Sequence, residues 1–380
     1  MNKRAGYFQF QHLPAKLGLK KTSSLRSEIM EINSLKPKDR LIEAIHKNDI
    51  RAVESIIAQH RELLNEPLPR VDGGAALSLA AQCNNLEMVK FLVQLGPKDL
   101  QQALSRASMR AHREVSEYLV QKGADPNGLY SDTAVHYGPV ILAACETLNP
   151  DGIRLMIGLG ANPNVKYRTS HGYINSPIGF ILGAYARKPH HKHECLEILF
   201  NSGVSFEDTP LMAFHRGRID LLEKHLHNNP DLVHQRFQSE DIYRPEMGFS
   251  QAMVLTPIEG TTLLHLALEY DEFEIARWLI DHGADVNARA DTDSNGCGGH
   301  TPLFHAVVSN ISPTDKRTRF LLDHGADPTT RATIRHPKGG WDEIADKVFE
   351  NVTALDYALI FKDGPSWCNR DSISVLSTLG

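Results

Sequence analysis

The chain is 380 residues long, 41% of them hydrophobic and 23% charged, with a formal net charge of −5. That length exceeds what one hydrophobic core serves, about 250–300 residues, so the chain divides into domains or extends as a stack. The mild acidity argues against a dedicated nucleic-acid binder, and no apolar run reaches the roughly 18 residues of a membrane helix.

Residues 1–37 lack the apolar core of a secretory signal and read as a flexible basic tail. They carry Lys3, Arg4, Lys16, Lys20, Lys21 and Arg26, with no acid before Ser27. Next, Leu41, Ile42, Ile45, Val53, Ile56 and Ile57 alternate with Arg40, Glu43, Lys47, Arg51 and Glu54. This predicts a helix pair with one wet face, the composition of an end cap. From there two phrases recur. One opens a unit, most clearly as Thr262-Leu263-Leu264-His265-Leu266-Ala267, and again as Thr301-Pro302-Leu303-Phe304-His305-Ala306 and Thr353-Ala354-Leu355-Asp356-Tyr357-Ala358. The other closes it: Gly123-Ala124-Asp125-Pro126-Asn127, Gly160-Ala161-Asn162-Pro163-Asn164, Gly283-Ala284-Asp285-Val286-Asn287 and Gly325-Ala326-Asp327-Pro328-Thr329.

Each phrase has a mechanical reading. Thr or Ser before an apolar run caps a helix start, and Pro at the first helical position loses nothing there. The small Ala lets a neighbouring helix approach. Gly takes the left-handed cap, and the Asp/Asn-Pro that follows turns the chain outward. Each unit is thus predicted to be two short antiparallel helices and a projecting turn. Nine units open near Asp39, Ala75, Gln102, Gly138, Ser176, Asp208, Thr262, Thr301 and Thr353. The last helix is expected at residues 371–379.

The phrases T-x-L-H-L-A and G-A-D-V-N within residues 262–287 resemble the ankyrin repeat, whose opener is T-P-L-H-x-A with a period near 33 residues. The resemblance spans roughly residues 38–380 and implies an all-α solenoid of about nine helix-turn-helix units, with β-turn fingers and several long inter-repeat loops. Spacing departs from the period because extra residues fall inside units, as at 184–194, and between them, as at 165–175, 234–259 and 330–352. The stretch 234–259 has no helical period and is expected to join half-stacks 38–233 and 260–380. In the family, a histidine placed like His265 resembles a structural clasp between neighbouring turns.

The resemblance implies a non-enzymatic scaffold that takes a protein or peptide partner on a concave groove and its fingers. Interface energy concentrates in aromatic and Arg anchors. The inserted loops supply Tyr130, Tyr167, Arg168, Tyr173, Phe237, Tyr243, Arg244, Phe249 and Trp341 as candidate contacts. The alternative is an enzyme or metal-binding protein whose site is built from loops 184–195 and 234–259. Imidazole and thiolate in His190-His191-Lys192-His193-Glu194-Cys195 suit zinc, but adjacent residues rarely converge on one ion, so a solvated insertion is expected there. The Asp291, Asp293, Asn295 alternation lacks the twelfth-position Glu of a calcium loop, since Pro302 stands there. The five cysteines, Cys83, Cys145, Cys195, Cys297 and Cys368, are odd in number and widely spaced, which predicts reduced thiols and a cytoplasmic setting. No catalytic residue, cofactor or metal ligand is assigned. The chain is expected to be monomeric on its own, without nucleic acid or a membrane span.

Overall fold

The structure is a computed structural model that describes residues 36–69, 71, 73–130, 138–169, 172, 174–184, 186–244, 247, 254–309, 314–336, 346–362 and 369–379. The tail up to residue 35 lies outside them, as do Tyr173, Phe249, Trp341 and Cys368. Nineteen α-helices stand among the described residues, 53% of which are helical.

Eighteen of these helices form nine consecutive pairs. They are α1 (Pro37–His46) with α2 (Ile50–Gln59), α3 (Ala76–Gln82) with α4 (Leu86–Gln94), α5 (Leu100–Ser108) with α6 (Arg113–Gln121), and α7 (Ile141–Glu146) with α8 (Pro150–Gly158). Then come α9 (Pro177–Leu182) with α10 (Pro189–Asn201) and α11 (Pro210–His215) with α12 (Ile219–Asn228). After a short α13 (Ser239–Ile242), the series continues with α14 (Leu263–Glu269) and α15 (Phe273–Asp281), then α16 (Pro302–Val307) and α17 (Lys316–Asp323). It ends with α18 (Ala354–Ile360) and α19 (Arg370–Ser377). The fold is the predicted series of helix-turn-helix units.

Three openers cap their helices as read, while Thr301 makes no side-chain cap. Ser176 Oγ accepts from Gly179 N at 3.0 Å, Thr209 Oγ1 from Met212 N at 3.1 Å and Thr353 Oγ1 from Asp356 N at 3.1 Å. Pro177, Pro210 and Pro302 occupy first helical positions. The apolar stripes go inward: Leu41, Ile45, Val53 and Ile57 in the first pair are at most 1% exposed, as are Leu77, Ala80, Val89 and Leu92 in the second. Burying each Leu or Ile contributes about 1.5–3 kcal/mol.

The chain forms two compact units. One runs up to Ala144 and includes Arg154–Ala161; the other holds Cys145–Ile153 and everything from Asn162. Residues 234–259 lie wholly in the second unit.

Inserted residues add short strands. β1 (Tyr167–Arg168) pairs antiparallel with β2 (Ile174–Asn175), and β3 (Arg236–Phe237) pairs with β4 (Thr261–Thr262), Phe237 opposite Thr261. β5 (Ala332–Arg335) pairs with β6 (Val348–Val352) through an irregular register. One expectation is corrected. Residues 189–201 are helix α10, not a solvated insertion running to residue 194, because Pro189 starts the helix early and Lys192 and Cys195 turn inward at helical spacing.

Candidate functional site

The fingers are built from local hydrogen bonds. Asp125 Oδ1 accepts from Asn127 N at 2.8 Å, and Asp285 and Asp327 do the same for Asn287 N and Thr329 N. These turns are then tied to the next unit. Asn127 Nδ2 donates to Gly160 O at 2.9 Å; Asn287 Nδ2 donates to Gly325 O at 2.9 Å and its Oδ1 accepts from Asp327 N at 2.8 Å.

Beside this runs a ladder of arginines. Arg236 Nε donates to Arg289 O at 3.0 Å, Arg289 to Arg331 O at 2.8 Å, and Arg331 to Asn351 O at 2.7 Å. Two rungs had a legible signal, an Arg two places past the last residue of the closing phrase, at 289 and 331. The third, Arg236, has none.

The candidate contacts separate by exposure. Tyr130, Phe237 and Tyr243 are 3%, 4% and 8% exposed. Tyr243 sits 6.5 Å from the His215 ring, which is itself edge-on to Phe214 at 5.2 Å and Tyr270 at 5.5 Å. Tyr243 therefore packs against α11 through His215. Tyr167 is half-buried on β1, Arg168 beside it is exposed and donates to Gly172 O at 3.0 Å, and Arg244 is half-buried and ion-paired with Glu207. Tyr173, Phe249 and Trp341 lie outside the described residues.

Polar side chains do converge in the second unit, most of them buried, with His193 partly exposed. Arg187, in the loop between α9 and α10, pairs with Glu269 at 2.7 Å, and the other Glu269 oxygen accepts from His305 Nδ1 at 2.9 Å; Arg187, Glu269 and His305 side chains are 2%, 0% and 0% exposed. Glu272 is shared by Lys192 at 2.6 Å and His193 at 2.9 Å. Burial pushes the Glu272 carboxyl up, yet its cationic neighbours outweigh that and hold it below its ordinary value. Arg317 donates to Leu268 O at 2.8 Å and to Ser309 Oγ at 3.0 Å. Burial brings its pKa down to about 10, so it stays cationic at neutral pH. Burial raises Tyr270 to about 12. The crevice against Arg187, Lys192 and Tyr270 is about 10 Å³, room for at most one water. Chemistry on a substrate needs a reachable group, and these are stitching between helix pairs.

His265 is the clasp that the resemblance implied. Its Nε2 donates to His300 O at 3.2 Å, and its Nδ1 accepts from Thr262 N at 3.2 Å. In the helical His190–Cys195 segment, His191 bonds Leu148 O at 3.1 Å and His193 bonds Glu272. Among the described residues no three His, Cys, Asp or Glu gather as metal ligands, and no helix is long and apolar enough to cross a membrane.

The family model for ankyrin repeats (3 copies) matches residues 41–129 and 182–332. The chain belongs to the ankyrin repeat family. An ankyrin repeat protein of Rickettsia felis is 28% identical over 127 residues, 33% of this chain and 43% of that protein. Transient receptor potential cation channel subfamily A member 1 of Drosophila melanogaster is 29% identical over 134 residues, 32% of this chain and 11% of the channel. The matched stretch is thus less than half of either relative. The crystal structure of the human ASB11 ankyrin repeat domain is similar at 17% identity and a TM-score of 0.32, covering 79% of this chain and 96% of that one. Ankyrin repeats generally mediate protein–protein interaction and are typically non-enzymatic.

Proposed function

We propose that the chain is a non-enzymatic scaffold that takes a protein or peptide partner on its finger loops and on the groove lined by its first helices. The observation that carries this is the division of labour in the inserted loops. Buried rings such as Phe237 and Tyr243 hold their segment down, while Arg244 beside Tyr243 is half-exposed and Arg168 on β1 is exposed. Anchored loops present their outer side chains at low entropic cost, which favours binding. Arg also supplies forked, bidentate donors suited to a protein surface. Tyr167, Arg168 and Arg244, with Tyr173, Phe249 and Trp341, are the contacts on this reading. The partner site is cytoplasmic, and the scaffold works as a monomer without nucleic acid.

The test is affinity capture from the source cell with intact chain and with Arg168→Ala/Arg244→Ala. The reading expects a protein bound by the intact chain to be lost from the variant while the melting temperature moves by less than a few degrees. Capture of the same proteins by both removes these arginines from the interface.

A further inference from the structure

We propose that His265 and His300, packed against His305, form an acid-released clasp: when the His265 and His300 rings gain protons, the seventh and eighth helix pairs come apart. The proposal concerns the fold of this region and stands apart from the partner reading.

The three rings pack together, with centroids 5.8 Å apart for His265–His300, 5.7 Å for His265–His305 and 5.3 Å for His300–His305. None is more than 1% exposed. They come from α14, from the finger ahead of α16, and from α16 itself, so the cluster is the joint between two units.

The hydrogen bonds suit neutral rings at His265 and His300. His300 O can only accept, so His265 Nε2 carries the proton. Its Nδ1 must then accept the Thr262 N–H, and the Thr262 hydroxyl lies 2.9 Å away on the same nitrogen. A second proton would set one donor against another and break the cap of α14. His300 Nε2 donates to Pro257 O at 2.9 Å, and His305 Nδ1 donates to the Glu269 carboxylate. The remaining nitrogens, His300 Nδ1 and His305 Nε2, are buried and meet no hydrogen-bond partner among the described residues. A proton on His300 Nδ1 makes a buried charge with nothing to accept from it, a state relieved by opening.

The charges around the cluster oppose protonation or are already taken. Arg236 on β3 bears on His265, and Arg289 in the finger bears on His300. Glu269 of α14 is shared with Arg187. Arg317 of α17 faces Asp271 at 3.8 Å, Glu272 ahead of α15 is held by Lys192 and His193, and Tyr357 of α18 donates to Leu255 O. Burial, then the neighbouring imidazoles, hold His265 well below its ordinary value; burial, then His305, holds His300 at about 3.

The sign follows. In the folded chain these groups titrate lower than in the unfolded chain, where each binds a proton near pH 6.5. Their stability is present in full above that value and is lost as pH falls from 6.5 toward the folded pKa. For His265 and His300 together the unfolding constant rises about 1,000-fold between pH 7.5 and 5.

The experiment uses the full chain. Urea unfolding is followed by circular dichroism at pH 7.5, 6.5, 5.5 and 5.0, with hydrogen-exchange protection, corrected for intrinsic rate, over residues 261–308. The proposal expects protection in that stretch to fall first. It also expects His265→Gln/His300→Gln, whose amides donate and accept but do not titrate, to cut the pH dependence by about 1,000-fold. One shared pH slope for the two chains would overturn it. If the variant does not fold, nitrogen shifts of the wild-type histidines decide. Neutral His265 and His300 rings in the folded chain at pH 5.5 support the clasp; imidazolium signals from these two with protection intact sink it.

Discussion

At the residue scale, capping in trans matters most. Helix α3 starts at Ala75, which has no capping oxygen of its own. Asp99, just ahead of α5, supplies it: Oδ2 accepts from Ala75 N at 2.7 Å, Ser78 N at 2.9 Å and Ser78 Oγ at 2.7 Å, and Asp99 is 6% exposed. Asp99→Ala therefore leaves three buried donors without an acceptor and should cost about 2–4 kcal/mol, read as a drop in urea midpoint. Nothing in the opener Ala75-Ala76-Leu77 predicts this partner, because the cap arrives from the next unit. The caps at Ser176, Thr209 and Thr353 were legible because donor and acceptor lie three residues apart. The same logic separates Tyr243 from Arg244. Tyr243→Ala empties a packed ring site and should cost about 3 kcal/mol. Arg244→Ala removes a half-exposed ion pair and should cost under about 1 kcal/mol. Thermal melts of the two variants check the pair, and equal losses would mean that Arg244 is also part of the packing.

At the element scale, the helix pairs and fingers were legible for a local reason: each is specified by a phrase of five or six adjacent residues. The insertions were not. Helix α10 looked like an insertion because its first turn carries His190, His191 and Lys192, and only the position of Glu272, far along the chain, makes a buried Lys192 tolerable. The β5–β6 ribbon is not legible because its strands stand twelve residues apart, too far for a short hairpin turn to announce the pairing. Glycines mark the difference between a cap and a crowded turn. Gly325 has φ +90°, and a Cβ there would meet open space. Gly325→Ala should cost only the left-handed backbone penalty, about 1–2 kcal/mol. Gly298 has φ +131°, and its Cβ would lie 2.0 Å from Asp291 O, in the turn whose N–H donates to Thr333 O at 2.7 Å. Gly298→Ala forces backbone to move and should cost about 3 kcal/mol or more. Denaturation midpoints compare the two directly; equal losses would show that the Asp291 turn can relax.

At the scale of the whole molecule, a stack held only by apolar contacts between neighbours would depend on each interface separately. The second compact unit has a further device. Arg187 follows α9, Glu269 ends α14 and His305 lies in α16, so one buried polar chain centred on the Glu269 carboxylate joins the fifth, seventh and eighth helix pairs. Arg187 also donates through Nε to Glu269 O at 2.9 Å and stacks over the Tyr270 ring at 4.7 Å. Its removal therefore loses packing as well as charge. Arg187→Met leaves a fully buried carboxylate facing only His305, and breaking such a pair on one side costs about 3–5 kcal/mol. Glu269→Gln keeps an acceptor for His305 but leaves the Arg187 cation without its counter-charge. Combined, the two changes remove both charges at once, so the double variant should lose less than the sum of the singles by about 1–3 kcal/mol. Urea denaturation of the four proteins at pH 7.5 closes the cycle. Additive losses would mean that the charges do not couple and that the distant helix pairs are linked by packing alone.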